Sequence, residues 1–115
     1  MADFPVTIYH NPRCSKSRTA LELIRERGIE PEIVLYLQTG WTEATLKALL
    51  KRMGLKARDI LRTGEAAAAV LGTNASDDVV IAAMVADPIL VERPIVETPK
   101  GVVVGRPIER VLEVL

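Results

Sequence analysis

Cys14 is the only cysteine in the 115 residues, and it lies in the segment Tyr9-His10-Asn11-Pro12-Arg13-Cys14-Ser15-Lys16-Ser17-Arg18. Val6-Thr7-Ile8-Tyr9 before it reads as a short β-branched and aromatic strand, and Ser15 onward reads as a helix. The thiol therefore falls at or just before the helix's first turn. Unpaired backbone N–H groups there carry roughly half a positive charge and favour an anion. A thiolate is such an anion, and it is the nucleophilic form of cysteine. A fall of about two units in pKa, within the range for helix N-termini, turns a thiol that is a few per cent ionised at neutral pH into one mostly ionised. Arg13, Lys16, Arg18 and His10 are placed to add to the field. A lone cysteine is often a small buried hydrophobe. Its polar and turn-forming neighbours here argue instead for a reactive thiol facing a negatively charged substrate.

The basic residues are biased toward arginine, ten against five lysines. The planar guanidinium donates to carboxylate, phosphate and related oxyanions two bonds at a time, so a set of arginines suits an anionic substrate. Arg93 precedes Pro94, and Arg106 sits between Gly105 and Pro107, both settings that fix the backbone presenting the side chain. Arg62, Arg93 and Arg106 are 31 and 13 residues apart, and spacing alone does not bring them together. Two chemistries are excluded on spacing. A phosphatase loop with arginine six positions after the cysteine is missing, since that position is Ala20, and a dithiol Cys-x-x-Cys is missing, since its second position is Ser17. One cysteine and one histidine do not supply a zinc site with the usual ligand count, so no metal is expected.

The elements that must position these groups follow from periodicity. Ser17 to Arg27 is amphipathic, with Ala20, Leu21, Leu23 and Ile24 apolar and Gly28 placed as a left-handed cap. Glu32 to Tyr36 reads as a buried parallel strand, completing a βαβ unit. Thr42 caps a helix with Leu46, Leu49, Leu50 and Met53 on one face, stopped by Gly54. Helical pieces follow over Ala57–Leu61 and Glu65–Leu71, and Ser76 caps a helix burying Val80, Ile81, Met84 and Val85 and ending at Asp87-Pro88. Ile95–Glu97 and Val102–Val104 flank the turn-forming Thr98-Pro99-Lys100-Gly101 as a hairpin, and Pro107 opens a last helix with Ile108, Val111, Leu112 and Leu115 on one face. The expectation is one α/β domain over residues 1–115, a mixed four-stranded sheet in β-α-β and β-β-α halves with a helical insert over about 42–86.

Apolar residues make up 49% and charged residues 26%, with zero net charge, which suits a soluble globular protein and implies no overall attraction to nucleic acid or a membrane surface. No apolar run approaches the roughly 20 residues of a membrane span. Met1 to Pro5 show no basic region followed by an apolar core, so a cytoplasmic location is expected, in keeping with a reduced single thiol.

The fold and the motifs together resemble a known family. A βαβ half, a ββα half and a cysteine at the first helix's N-terminus resemble the thioredoxin fold. His10-Asn11-Pro12-Arg13-Cys14-Ser15-Lys16-Ser17-Arg18, Leu61-Arg62, Pro88-Ile89-Leu90, Arg93-Pro94-Ile95-Val96 and Gly105-Arg106-Pro107 look, in that order, like the glutaredoxin-linked arsenate reductases. The resemblance implies Cys14 as nucleophile, with His10 and Ser17 helping to stabilise its ionised form. It implies Arg62, Arg93 and Arg106 as holders of the oxyanion, with Asn11 on the substrate side, and Pro94 as a cis-proline facing the site. It further implies arsenate as substrate, glutathione as co-substrate and glutaredoxin as partner, with no bound cofactor expected; a short chain with few aromatic residues gives no evident large exposed patch, so a monomer is the default expectation. Two other readings stay open: a thiol-dependent reductase of a different substrate, and a non-enzymatic regulator resembling the Spx proteins, which bind RNA polymerase.

Overall fold

The computed structural model describes residues 4–72 and 74–115. Met1 to Asp3, which share in the reading of the N-terminus above, lie outside the described residues, as does Thr73. The chain divides into two compact units, one formed by residues 1–36 and 93–115 and the other by Leu37–Glu92. The second unit includes the insert expected over about 42–86 and extends beyond it at both ends.

The first unit is built on a four-stranded sheet in the order β2-β1-β3-β4, formed by β1 (Thr7–Tyr9), β2 (Glu32–Val34), β3 (Ile95–Thr98) and β4 (Gly101–Val104). β1 runs parallel to β2, with Ile8 opposite Ile33, and antiparallel to β3, with Ile8 opposite Val96. β3 and β4 form the expected hairpin, with Ile95 opposite Val104. This order and these directions are those of the thioredoxin-like α/β fold. Side chains alternate across a strand, so Ile8, Val96 and Val103 share one face. They pack with Val6, with Ala20 and Ile24 of α1 (Ser15–Glu26), and with Val111 and Val114 near the C-terminus. Burying a side chain such as Ile8 or Ile24, neither of which retains solvent exposure, contributes about 1.5–3 kcal/mol. α1 ends where expected, because Gly28 takes the left-handed conformation at φ +78°.

Three expectations give way here. The second strand stops at Val34, and Tyr36 opens a short helix, α2 (Tyr36–Thr39). β2 is also an edge strand with exposed Glu32 and Ile33, so its apolar run does not mark a strand buried on both faces. The last helix is a 3-10 helix over Ile108–Val114. Its buried residues are Val111 and Val114, three apart, while Leu112 is exposed, and this matches three residues per turn better than an α-helical stripe.

In the second unit, Thr42 Oγ1 accepts the Thr45 N–H at 3.1 Å to cap α3 (Glu43–Met53), whose Leu46, Leu49 and Leu50 are buried, and Gly54 closes it at φ +69°. A 3-10 turn over Ala57–Ile60 leads to α4 (Ala66–Leu71) and α5 (Asp77–Ala86). Ser76 caps α5 and Val80, Ile81 and Met84 are buried as expected, whereas Val85 is exposed. α3, the 57–60 turn and a second 3-10 turn over Pro88–Leu90 pack against α5. An isolated antiparallel bridge between Leu61 and Val91, absent from the sequence reading, joins the segments on either side of α4 and α5. Among the described residues, no helix is long and apolar enough to cross a membrane.

Candidate active site

Strand directions put the candidate site at one end of the sheet in the first unit. β1 leaves the sheet at Tyr9 and runs into the loop that carries Cys14. β3 is antiparallel to β1 and enters with Ile95 opposite Tyr9, so the Arg93-Pro94 segment arrives at that same end. Continuing the β3–β4 ladder past Ile95 and Val104 sets Pro94 opposite Gly105 and Arg93 opposite Arg106. Bonds outside the strands extend the pairing: Gly105 N–H donates to the Pro94 carbonyl at 2.8 Å, and Arg106 Nε donates to the Arg93 carbonyl at 2.8 Å. The Arg93–Pro94 bond is cis, as the resemblance implies, and the Arg106–Pro107 bond is cis as well, which nothing in the sequence signalled.

Cys14 is the N-cap of α1, extended at φ −94° and ψ 121° and half-buried. The turn before it is closed by Cys14 N–H donating to the Asn11 carbonyl at 3.0 Å. Asn11 Oδ1 accepts the Arg13 N–H at 3.0 Å, and Arg18 Nη1 donates to the Pro12 carbonyl at 2.7 Å. The Asn11 side-chain oxygen thus shapes the loop, and Asn11 itself is buried. Ser17, fully buried in the first turn of α1, ties the loop to the helix: its Oγ accepts the Asn11 N–H at 3.1 Å and lies 2.7 Å from His10 Nδ1. No acidic residue occupies the first turn of α1, so no carboxylate competes there with an anion.

The Cys14 thiol is held below the ordinary cysteine range by opposing effects. Burial pushes it up. The Ser17 N–H, the Arg93 guanidinium charge, the Lys16 N–H and a hydrogen bond from Arg93 pull it down, and together they prevail. The side chain closes no cap hydrogen bond of regular geometry. Amide dipoles nonetheless act on a charge beyond hydrogen-bond distance, so the helix terminus still favours the thiolate. The charge responsible is Arg93, which precedes the neighbouring strand β3, rather than Arg13, Arg18 or His10 of the loop itself; Lys16 acts through its backbone. His10 in particular does not add a positive charge. It is buried, and burial, with the nearby Arg18 and Arg25 charges, holds its pKa below the ordinary value, so at neutral pH it is an uncharged hydrogen-bond partner of Ser17.

The first unit therefore brings together Cys14, His10, Ser17, Asn11, Arg93 and Arg106. Arg62 belongs to the second unit, where its Nη2 lies 3.3 Å from Glu65 Oε2 and its Nε 3.8 Å from Glu92 Oε1. Its backbone N–H donates to the Leu90 carbonyl at 2.7 Å, beside the Leu61–Val91 bridge.

A thioredoxin-like sheet here carries a single cysteine, its pKa lowered, at the N-terminus of the first helix, faced by an arginine next to a cis-proline. The family model described as the ArsC family matches residues 9–114, and the chain belongs to that family. It is 48% identical over 114 residues to the uncharacterized protein YfgD of Escherichia coli K12, with 96% of each chain covered. It is 44% identical over 113 residues to an Escherichia coli protein named arsenate reductase, covering 96% of this chain and 80% of that one. The solved structure of arsenate reductase from Vibrio cholerae superimposes with a TM-score of 0.93 at 42% identity, covering 99% of this chain and all of that one.

Proposed function

We propose that the protein reduces arsenate to arsenite in the cytoplasm, with Cys14 as the nucleophile and Arg93 and Arg106 as oxyanion partners. The observation that carries this reading is the thiol at the α1 N-cap, held below its ordinary pKa by Arg93 and two backbone N–H groups. The relatives named arsenate reductase direct the choice of oxyanion toward arsenate. Arsenate carries negative charge toward a negative sulfur. Attack needs that repulsion offset by fixed cations, and the Arg93–Arg106 pair at the sheet end supplies them.

In this reaction the Cys14 sulfur forms a bond to arsenic and hydroxide leaves with a proton as water, while arsenic stays pentavalent. The chain has no second cysteine to attack the adduct, so the next thiol comes from outside, and glutathione displaces a second hydroxide. A glutaredoxin thiolate then attacks the glutathione sulfur. The electron pair of the sulfur–arsenic bond stays on arsenic, which becomes trivalent, and glutaredoxin and glutathione leave as a mixed disulfide. Water releases arsenite from Cys14 and restores the thiol. Asn11, Ser17 and His10 hold the loop that aims the sulfur.

The test is arsenate-dependent NADPH oxidation coupled through glutathione, glutaredoxin and glutathione reductase. The wild-type protein is expected to turn over and Cys14→Ser to be inactive, with a sulfur–arsenic adduct seen by mass spectrometry only in the former. Wild-type-like turnover by Cys14→Ser removes the nucleophile. A protein inert toward arsenate whose thiol still reduces glutathionylated substrates replaces arsenate reduction with a different thiol chemistry.

A further inference from the structure

Gly105 is buried between two side chains that leave no room for a Cβ. An atom at that position falls 3.0 Å from Pro94 Cγ and 3.0 Å from Val111 Cγ2, with Pro94 Cδ at 3.5 Å. Neither neighbour is the loose end of a flexible chain: one is a ring carbon of a buried proline, the other a methyl of a fully buried β-branched residue. Backbone torsion is not what demands glycine here, since Gly105 is absent from the residues with positive φ, unlike Gly28 or Gly54. The demand is for close approach. That approach lets the Gly105 N–H reach the Pro94 carbonyl at 2.8 Å, and the next residue's Nε reach the Arg93 carbonyl at 2.8 Å.

We propose that Gly105 is a positioning residue for the site: its bare Cα lets the Gly105-Arg106 segment close on Pro94, and this clasp aims Arg93 and Arg106 toward Cys14 and its anion. The proposal rests on the functional reading above only in taking Arg93 and Arg106 as the anion's partners; the clasp itself is a matter of geometry. A methyl group at position 105 must push Pro94 or Val111 aside by a few tenths of an ångström. Pro94 is bonded directly to Arg93, so a shift of its ring is passed to the residue that faces the sulfur.

The experiment compares wild type, Gly105→Ala, Val111→Ala and the double variant Gly105→Ala/Val111→Ala, with Gly54→Ala as control. Val111→Ala removes the opposing methyl, leaving only the Pro94 ring, and keeps the pair measurable where Gly105→Ala alone fails to fold by circular dichroism. The pH dependence of Cys14 alkylation is read without arsenate, and kcat and KM are read with it. Replacing Gly105 is expected to raise the midpoint of alkylation by about half a unit or more and to lower arsenate kcat/KM about tenfold, as an arginine drawn away from a thiolate and an anion requires. Gly54→Ala strains a left-handed glycine in the other unit and is expected to lower thermal stability while leaving the Cys14 midpoint in place. A midpoint unchanged by Gly105→Ala, in whichever background folds, overturns the proposal. A raised midpoint in a protein that does not reduce arsenate leaves the clasp standing and removes only arsenate as substrate.

Discussion

Replacing Arg93 by methionine tests the electrostatics of the site most directly, because it keeps a long apolar stem and removes the charge. The guanidinium acts on the Cys14 thiolate twice, as a charge and as a hydrogen-bond donor. Opposite unit charges about 4 Å apart attract by about 1 kcal/mol in water and about 4 kcal/mol at the effective dielectric near a protein surface. Cys14 is half-buried, so solvent screening puts the interaction in the lower part of that range, about 1–2 kcal/mol. At about 1.4 kcal/mol per unit, Arg93→Met should raise the thiol pKa by about one unit and cut the thiolate fraction at neutral pH several-fold. The Ser17 and Lys16 N–H groups are untouched, so part of the depression should survive. The assay is the rate of iodoacetamide alkylation against pH, with thiolate absorbance as a second probe. Raising the salt concentration should lift the wild-type midpoint more than the variant's, since only the wild type has the ion pair to screen. A variant that titrates with the wild-type midpoint at low salt would refute the assignment of Arg93 as the charge serving Cys14.

Two further outcomes test the hydrogen-bonded support behind the thiol. Ser17 Oγ is buried and serves both the Asn11 N–H and His10 Nδ1, so Ser17→Ala orphans two buried groups and should cost about 1–3 kcal/mol in urea unfolding; a loss under about 0.5 kcal/mol contradicts that network. Burial and the Arg18 and Arg25 charges hold His10 below its ordinary pKa, so on acidification the unfolded chain takes up this proton near about pH 6.5 before the native protein does. The contribution of His10 to stability is therefore complete above that pH and declines below it. Urea midpoints at about pH 7.5 and about pH 5.5 should differ less in His10→Gln than in the wild type, and equal differences would mean that His10 is not the group involved.

Local chemistry made much of the fold legible. Caps and stop signals bounded the long helices: Thr42 and Gly54 enclose α3, Ser76 opens α5, and Gly28 closes α1, each through a short-range interaction that its own side chain or torsion sets. The misreadings occurred where tertiary position decides. Ile33, Val34 and Tyr36 form an apolar run, yet only long-range pairing makes β2 an edge and turns Tyr36 into the start of a helix. Ile108, Val111, Leu112, Val114 and Leu115 satisfy a period of three as well as one of 3.6, and packing against the sheet selected Val111 and Val114. The Leu61–Val91 bridge links residues 30 apart in sequence and leaves no local trace.

The site follows the same division. Cys14 at a helix N-terminus is a local feature, readable from the strand, turn and helix around it. His10 was misread as a source of charge because histidine's role depends on burial: in the open it shares in a cationic field, whereas beside a buried Ser17 and two arginines its neutral form prevails. The meeting of Arg93 with Arg106 looks non-local at a spacing of 13, but it is encoded in the hairpin. With Thr98 opposite Gly101, antiparallel pairing advances one residue on each strand per step, and the ladder carried outward brings Pro94 to Gly105 and then Arg93 to Arg106. What the hairpin alone does not supply is the third strand. β1 must add beside β3 in the antiparallel sense for the loop after Tyr9 to meet the segment before Ile95. A parallel partner in that place would carry the thiol to the opposite end of the sheet, more than ten ångströms from the arginines at about 3.3 Å per residue along a four-residue strand. The direction of one strand pairing, rather than any residue of the motif, thus decides whether a cysteine and two arginines so far apart in sequence become a site.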